Sequence, residues 1–425
     1  MKKRYLIVVV VFVLAAVLNV GRALAVGTQR GDDPGQPVVI QDQDAAQAAD
    51  IALLANETGL SVESVERAIL FQQAFGVYAD ELIARFPNQI SAVWMEPVPN
   101  TKGHIQFVGE VPAEVTIQLK KRETLNSGNV ILTANGLISM EDHVRRAELA
   151  AYALVDLRYQ NHVAFFDPMR QVIRIELQLS EGASQPSKED IAGAMQARLQ
   201  AGEGEAGQLQ GRAATIDMAD LDLAILTGEG PLVTPDHSRG GNWLLDDGVR
   251  ECTSGWSVSG PNGDGIITAG HCNGLNQFEE PGVTPYGMTY QFEVNGTGGD
   301  VEYHTTTHPE DDDFYSDATT IRDVTGTKST STMVGGSICV YGRSSNVRTC
   351  NHIVEATGVT ATGGGVTVTK LVRTDSTSTT GGDSGGGWSV GGTAWGIHMG
   401  QDSAGKGYFT PAQQAESVLG VTIKR

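Results

Sequence analysis

The stretch GDSGG at residues 382–386 decides the fold of this chain, together with TAGHC at residues 268–272. The glycines let the backbone turn tightly, so that the serine hydroxyl projects while the amides of Gly382 and Ser384 converge on one point. A serine hydroxyl is a poor nucleophile unless a base accepts its proton. The second motif supplies a candidate base, His271.

The histidine motif follows a short apolar run, IITA at residues 266–269. This run predicts a strand, and Gly270 after it predicts a turn that carries His271. Either motif alone has an ordinary structural explanation, because GDSGG could be a surface turn in a chain with 52 glycines and a lone histidine is more often structural. Found together, they favour Ser–His chemistry.

In this order the motifs resemble those of the chymotrypsin-fold serine endopeptidases, especially the secreted bacterial branch that includes alpha-lytic protease and the streptogrisins. The resemblance extends from near Gly240 to the C-terminus. Further segments carry it: CTSGW at 252–256, SICVYG at 337–342, TC at 349–350 and AWG at 394–396. It implies an all-β catalytic domain of two six-stranded antiparallel β-barrels, with the active site between them.

The resemblance also implies roles for individual residues. Ser384 would attack a peptide carbonyl, His271 would accept its proton, and the backbone N–H groups of Gly382 and Ser384 would form the oxyanion hole. The strand that pairs with substrate would contain Ala394, Trp395 and Gly396. The substrates would be proteins or peptides, and neither a metal nor an organic cofactor is required.

Two aspartates are candidates for the third catalytic residue. Asp300 lies 29 residues after His271 and 84 before Ser384, a spacing that resembles the bacterial branch. Asp317 also opens an alternating stretch and is the alternative. The acidic run at residues 310–313 is typical of a solvated loop rather than of a calcium site, which needs oxygens at loop-defined spacings.

All four cysteines lie in the C-terminal part of the chain. The resemblance implies the disulfides Cys252–Cys272 and Cys339–Cys350. Disulfides indicate an exported protein. A zinc site is less favoured, because the chain contains no CxxC and the cysteine-to-histidine spacings match no standard site.

The N-terminus predicts export. The basic residues 2–4 precede an apolar run at about 6–18, and ALA at 23–25 fits a cleavage site, so we expect residues 1–25 to be a signal peptide. The apolar run is too short to span a bilayer easily, which disfavours the alternative of an uncleaved anchor. We therefore expect a secreted, soluble monomer without stable membrane association after cleavage.

The net charge of −20 opposes binding to a phosphate backbone, so nucleic acid is not an expected partner. Composition divides the chain: residues 45–225 are rich in Ala, Glu, Gln, Leu and Arg, whereas Gly, Thr, Ser and Val dominate beyond about 240. Periodicity predicts helices over residues 61–86, with a possible break near Gly76, and over 140–159 and 188–199. Residues 171–179 alternate like a strand, so the N-terminal part reads as α+β.

Several breakers at residues 228–241 predict an exposed processing linker. By its position, the segment 26–239 resembles the family's pro-region, which assists folding and blocks the active site until it is removed. The protease domain would then be 240–425, and the pro-region a transient partner. A permanent second domain is the competing interpretation.

The specificity pocket departs from the family pattern. Many relatives have a cysteine shortly before GDSGG, but residues 375–381 (DSTSTTG) contain none. Ser378 stands where tryptic enzymes place an aspartate, which disfavours a preference for basic residues. Asp375 and Asp402 could still reach the pocket, and an apolar or aromatic preference is favoured.

Two other functions compete with the endopeptidase. One is a secreted binding module on a protease scaffold without catalysis, although intact His271 and Ser384 oppose it. The other is a serine esterase, because GDSGG also fits GxSxG. His398 is the only later histidine and lies 14 residues beyond the serine, too close for the distant partner that the esterase architecture requires.

Overall fold

The computed structural model describes residues 29–30, 37–122, 125, 129–179, 184–202, 209, 211–226, 233–235, 241–280, 284–363 and 365–425. The predicted signal peptide at 1–25 lies outside the described residues, as does most of the predicted linker at 228–241. Within the described ranges, no helix combines the length and apolar character that crossing a membrane requires.

The described part of the chain contains six α-helices, five of them in the N-terminal half. They are α1 (Gln43–Thr58), α2 (Val62–Arg85), α3 (Ala113–Leu119), α4 (Met140–Asp156), α5 (Lys188–Ala201) and α6 (Ala412–Leu419). Helices α1, α2, α4 and α5 each begin after an Asp or Ser whose side chain accepts a hydrogen bond from a backbone N–H of the first turn. The three predicted helices are confirmed, within a few residues at their ends.

Helix α2 is continuous through Gly76, where the sequence allows a break. A Cβ atom built on Gly76 would lie 2.3 Å from Nζ of Lys328, a residue of the C-terminal half. The glycine therefore permits close approach of another segment rather than a kink in the helix.

Strands make up most of the C-terminal half. In chain order the strands are β1 (Gln29–Arg30), β2 (Pro37–Gln41), β3 (Ile90–Met95), β4 (Gly103–Val108), β5 (Val130–Gly136), β6 (His162–Asp167), β7 (Val172–Gln178), β8 (Leu221–Leu226), β9 (Val233–Pro235), β10 (Trp243–Asp246), β11 (Val249–Thr253), β12 (Trp256–Gly260), β13 (Gly263–Thr268), β14 (Gln277–Glu279), β15 (Tyr286–Gly296), β16 (Gly299–Thr306), β17 (Asp313–Tyr315), β18 (Thr320–Asp323), β19 (Gly326–Thr327), β20 (Ser337–Gly342), β21 (Val347–Gly363), β22 (Val366–Thr374), β23 (Gly387–Val390), β24 (Thr393–Asp402), β25 (Gly407–Pro411) and β26 (Thr422–Ile423). The predicted strand at 171–179 is β7.

The strands of the C-terminal half lie mainly in two large sheets. An eight-stranded sheet has the order β11-β10-β14-β15-β16-β13-β12-β26, and an eleven-stranded sheet follows the path β20-β23-β24-β25-β22-β21-β6-β7-β8, with β19 and β9 paired to β24. The mostly-β character that the sequence predicts is thus present. Closure into two six-stranded barrels stays a prediction.

The N-terminal half continues the larger sheet. Strand β6 pairs antiparallel with β21, with Ala164 opposite Thr360. Below this sheet, Ile51 and Leu54 of α1 share an apolar core with Trp388 and Phe409. The two halves are therefore joined by backbone hydrogen bonds and by a common core, both of which stabilise the joined state.

Candidate active site

His271 and Asp300 come from neighbouring strands of the eight-stranded sheet. Strand β13 ends at Thr268, and the Cys252–Cys272 disulfide anchors the turn that follows it. Asp300 lies at the start of β16 with its side chain fully buried. Its Oδ2 atom lies 2.7 Å from Nδ1 of His271, a distance at which a carboxylate fixes the ring orientation and the tautomer.

Ser384 lies in the turn before β23 and meets the same histidine. Its Oγ lies 2.9 Å from Nε2 of His271 and 3.4 Å from the carbonyl oxygen of Met399. The N–H of Thr253 donates to the carbonyl of Ser384 at 2.7 Å, which ties the turn to the eight-stranded sheet. Gly385 has φ +89°, and a Cβ there would lie 2.1 Å from the carbonyl oxygen of Thr253, so only glycine fits.

The buried carboxylate of Asp383 holds the shape of this turn. Its Oδ1 accepts the N–H groups of Ser344 at 2.9 Å and Ser345 at 3.1 Å, and its Oδ2 accepts the N–H of Thr380 at 2.8 Å. Burial raises the pKa of Asp383, although these backbone donors act in the opposite direction. Asp383 therefore fixes the backbone around Gly382 and Ser384 without contacting the histidine in any described hydrogen bond.

Asp317, the alternative acid, bonds within its own turn. Its Oδ1 accepts the N–H of Thr319 at 2.9 Å and faces the hydroxyl of the same residue at 3.3 Å. The structure thus brings His271, Asp300 and Ser384 together in one hydrogen-bonded series and places Asp317 elsewhere. The second disulfide joins Cys339 and Cys350.

Residues 394–396 pair with β23 rather than with the turn that carries the serine. Ala394 pairs with Ser389, and Gly396 pairs with Trp388, near the start of β24. The buried ring of Trp395 faces Nζ of Lys328, which lies 5.5 Å from the ring centroid. Further along β24, the carbonyl oxygen of His398 accepts the N–H of Gly385 at 2.7 Å, and that of Met399 lies 3.4 Å from Oγ of Ser384. The AWG motif alone does not fix which residues of the strand lie nearest the serine, and the substrate-pairing role of residues 394–396 stays a prediction.

The last residues of β24 already pair with another segment of the chain. Strand β9 runs antiparallel to β24, with Pro235 opposite Gly400, Thr234 opposite Gln401 and Val233 opposite Asp402. Addition of an extended segment to a sheet edge is a common mode of peptide recognition. Strand β9 therefore occupies this edge of β24, next to Met399.

The three polar residues considered for the specificity pocket bond to β21 or to the turn after β24. The hydroxyl of Ser378 bonds to that of Thr349. Asp375 accepts the N–H of Ile353 at 2.8 Å, and Asp402 accepts the N–H groups of Ala404 and Lys406, each at 2.9 Å. Asp375 thus ties the end of β22 to β21, and Asp402 supports the turn after β24.

A second acid–histidine pair lies beside Asp300, on the same face of β16. Oε1 of Glu302 lies 2.8 Å from Nε2 of His304, and both side chains are almost fully buried. Burial raises the pKa of Glu302 to about 9, with help from the charges of Glu293 and Asp300. Burial also lowers the pKa of His304 to about 4, so the pair is neutral at neutral pH. The alternation of residues 300, 302 and 304 is a sequence signal that could have revealed this cluster.

We expect Glu302 to make the folded protein less stable as the pH rises from 7 to 9. In that range the folded state keeps the proton of Glu302 while the unfolded chain has released it, so the free energy of unfolding should fall by about 1.4 kcal/mol per pH unit. The stability contributed by protonated Glu302 is fully present below the ordinary pKa of glutamate. It falls as the pH rises above that value and is lost once the pH passes about 9. His304 does not interfere, because it is neutral in both states above about pH 7.

Urea unfolding of the Ser384→Ala chain at pH 7, 8 and 9 measures this slope. Glu302→Gln should flatten it, whereas Glu110→Gln, at an exposed position, should leave it unchanged. An equal slope in the Glu302→Gln protein would assign the pH dependence to another group.

No protein-family model matches the chain. Streptogrisin-C of Streptomyces griseus is 30% identical over 226 residues, which cover 49% of this chain and 47% of that protein. The matched region thus spans just under half of the relative's length.

Solved structures of bacterial proteases are also similar to part of the chain. The Nocardiopsis protease is 22% identical, with a TM-score of 0.37, and the match covers 44% of this chain and 98% of that one. Protease A of Thermobifida fusca is 26% identical, with a TM-score of 0.35, and covers 44% and 97%. The match to Streptogrisin-C confirms the resemblance of this chain to the bacterial chymotrypsin-fold serine proteases.

Proposed function

We propose that this chain is a secreted serine endopeptidase, made as a zymogen, that hydrolyses peptide bonds through an acyl-enzyme intermediate. The observation that carries the proposal is the hydrogen-bonded series from Ser384 Oγ through His271 to Asp300, with distances of 2.9 and 2.7 Å. This is the arrangement that activates a serine hydroxyl. The site would lie between two barrels, as the family resemblance implies.

Each residue of the series has a chemical role. Ser384 Oγ attacks the peptide carbonyl while Nε2 of His271 takes its proton, and the N–H groups of Gly382 and Ser384 stabilise the oxyanion. His271 then gives this proton to the leaving amine, and the acyl group stays on Ser384 as an ester. A water molecule, deprotonated by His271, attacks the ester carbonyl; His271 returns that proton to Oγ of Ser384 as the ester bond breaks, and the acyl group leaves as a carboxylic acid. Asp300 stabilises the imidazolium in both halves of the reaction.

The zymogen part of the proposal is supported by what covers the serine. Ser384 is 0% exposed in the full-length chain, and β9 pairs with β24 immediately beyond Met399. A peptide substrate would need the same edge of β24. Residues 26–239 would therefore block the site until they are removed, and the 240–425 domain would act on proteins or peptides after export and signal cleavage.

Residues 26–239 also make contacts that would suit a folding partner. Strand β6 extends the sheet at β21, and α1 fills part of the core beneath Trp388. A domain rich in non-local strand pairs folds slowly. A preformed neighbour that offers a strand and an apolar surface would lower the barrier, and its later loss would leave a kinetically trapped product.

N-terminal sequencing of the secreted, active form tests the proposal. We expect a start near residues 230–242, and we expect denatured mature domain to refold far more slowly alone than with the separate 26–239 segment. An active form that retains residues 45–225 would contradict removal of the segment. Rapid unaided refolding would contradict its role in folding.

A further inference from the structure

Asp50 of helix α1 is buried against the C-terminal half, with 4% of its surface exposed. Its Oδ1 accepts hydrogen bonds from Nε of Arg348 and Nη1 of Arg322, each at 2.8 Å. Its Oδ2 accepts Nη2 of Arg348 at 2.8 Å and the N–H of Gly391 at 2.7 Å. All four donor groups belong to the C-terminal half, and the acceptor belongs to the N-terminal half.

Part of this donor set is held by the C-terminal half itself. Nη2 of Arg348 also donates to Oγ of Ser389 at 2.9 Å, and Gly391 lies in the turn between β23 and β24. Nη1 of Arg348 is buried without a hydrogen-bond partner among the described residues. Arg348 and Gly391 are therefore positioned in part by contacts within the C-terminal half.

The charges of Arg322 and Arg348 require an anion between them while both side chains are buried. The side chains of Arg322 and Arg348 are 3% and 5% exposed and share one carboxylate. Burial alone would raise the pKa of Asp50, but Arg348 and Arg322 outweigh this effect and hold that pKa below its usual value. In the full-length chain, two buried cations without an anion between them would be strongly unfavourable, because burial weakens the screening of their repulsion.

We propose that Arg322, Arg348 and the backbone N–H of Gly391 form a carboxylate-binding site on the C-terminal half, distinct from the catalytic serine. Asp50 fills it in the full-length chain. If residues 26–239 leave as proposed above, the site opens and takes a carboxylate from another molecule. Carboxylates are favoured over spherical anions because a planar guanidinium donates two parallel hydrogen bonds to their two oxygens.

Removal of the Asp50 carboxylate should create a site that a small carboxylate can refill. The Asp50→Ala variant is made in the Ser384→Ala chain, so that its behaviour does not depend on proteolysis, and its thermal midpoint is measured in sodium formate and in sodium chloride of equal concentration. We expect a saturable rise in formate only. Neither the Ser384→Ala parent nor the Asp50→Ala/Arg348→Gln variant should show this rise. Asp44→Ala, at an exposed position of α1, is the matched control and should not show it either.

An equal response of Asp50→Ala to both salts would overturn the proposal. If this variant does not fold in chloride, the yield of folded protein after refolding in formate replaces the midpoint, and no folded protein in either salt would also overturn it. The last measurement uses the processed enzyme. Formate should raise its thermal midpoint, and Arg348→Gln should remove this effect. The experiments on the Ser384→Ala chain need no cleavage. They therefore distinguish failure of this site from failure of the proposed protease function.

Discussion

The Ser384→Ala and His271→Ala proteins are each expected to lose about 10⁶-fold in kcat for peptide hydrolysis, because nucleophile and base act as one unit. Ser384 Oγ lies 2.9 Å from Nε2 of His271, so removal of either partner abolishes proton transfer. Initial rates on a peptide substrate measure the loss. Self-processing should stop as well, so that the full-length chain accumulates.

Matched controls separate this loss from a folding defect. Ser403→Ala and His308→Ala change exposed residues of the same types and should keep normal turnover. Circular dichroism and the thermal midpoint should show that all four variants are folded. Near-normal turnover of folded Ser384→Ala or His271→Ala protein would refute the roles assigned to these two residues.

The second large effect is expected at Asp300. Asp300→Asn should lower kcat by about 10⁴-fold, since an amide in place of the carboxylate holds the histidine in the wrong tautomer. Asp317→Asn is the matched control, and its effect should be mild because Asp317 bonds only to Thr319 in the described structure. Turnover of the two folded proteins, measured on one substrate, gives the ranking. The reverse order would move the catalytic acid to Asp317.

Local patterns explain why so much of the fold was predictable from sequence. The helix at 140–159 is observed as Met140–Asp156 because an apolar face with a 3.6-residue period follows the capping residue Ser139. The apolar run at residues 266–269 is observed as the end of β13, which pairs with β12 in a hairpin. These signals lie within about ten residues of the structure they specify.

The residues of the candidate site also differ in whether a local sequence pattern predicts them. His271 and Ser384 carry their turn residues with them in sequence, and Asp300 follows from spacing within one family. The part of β24 that approaches Ser384 was not predictable in this way, because its position depends on the register with β9 and β23. A register is fixed by packing across the sheet, and one strand alone does not contain it.

The Asp50 site was hidden from sequence reasoning for a related reason. Asp50 and Arg348 are 298 residues apart, and no motif around Asp50 marks it as the partner of a distant arginine. Only the docked helix shows that this acid meets two cations. Partners at such separations are specified by the tertiary fold rather than by a local motif.

Titration of the processed enzyme with a fluorophosphonate probe, followed by mass spectrometry, tests the central claim most directly. The proposed mechanism predicts one adduct per chain, on Ser384, with loss of peptide hydrolysis in proportion to labelling. His271→Ala protein should not be labelled at a comparable rate. Stoichiometric labelling of another residue, or full hydrolysis by a completely labelled enzyme, would contradict a serine endopeptidase built on Ser384.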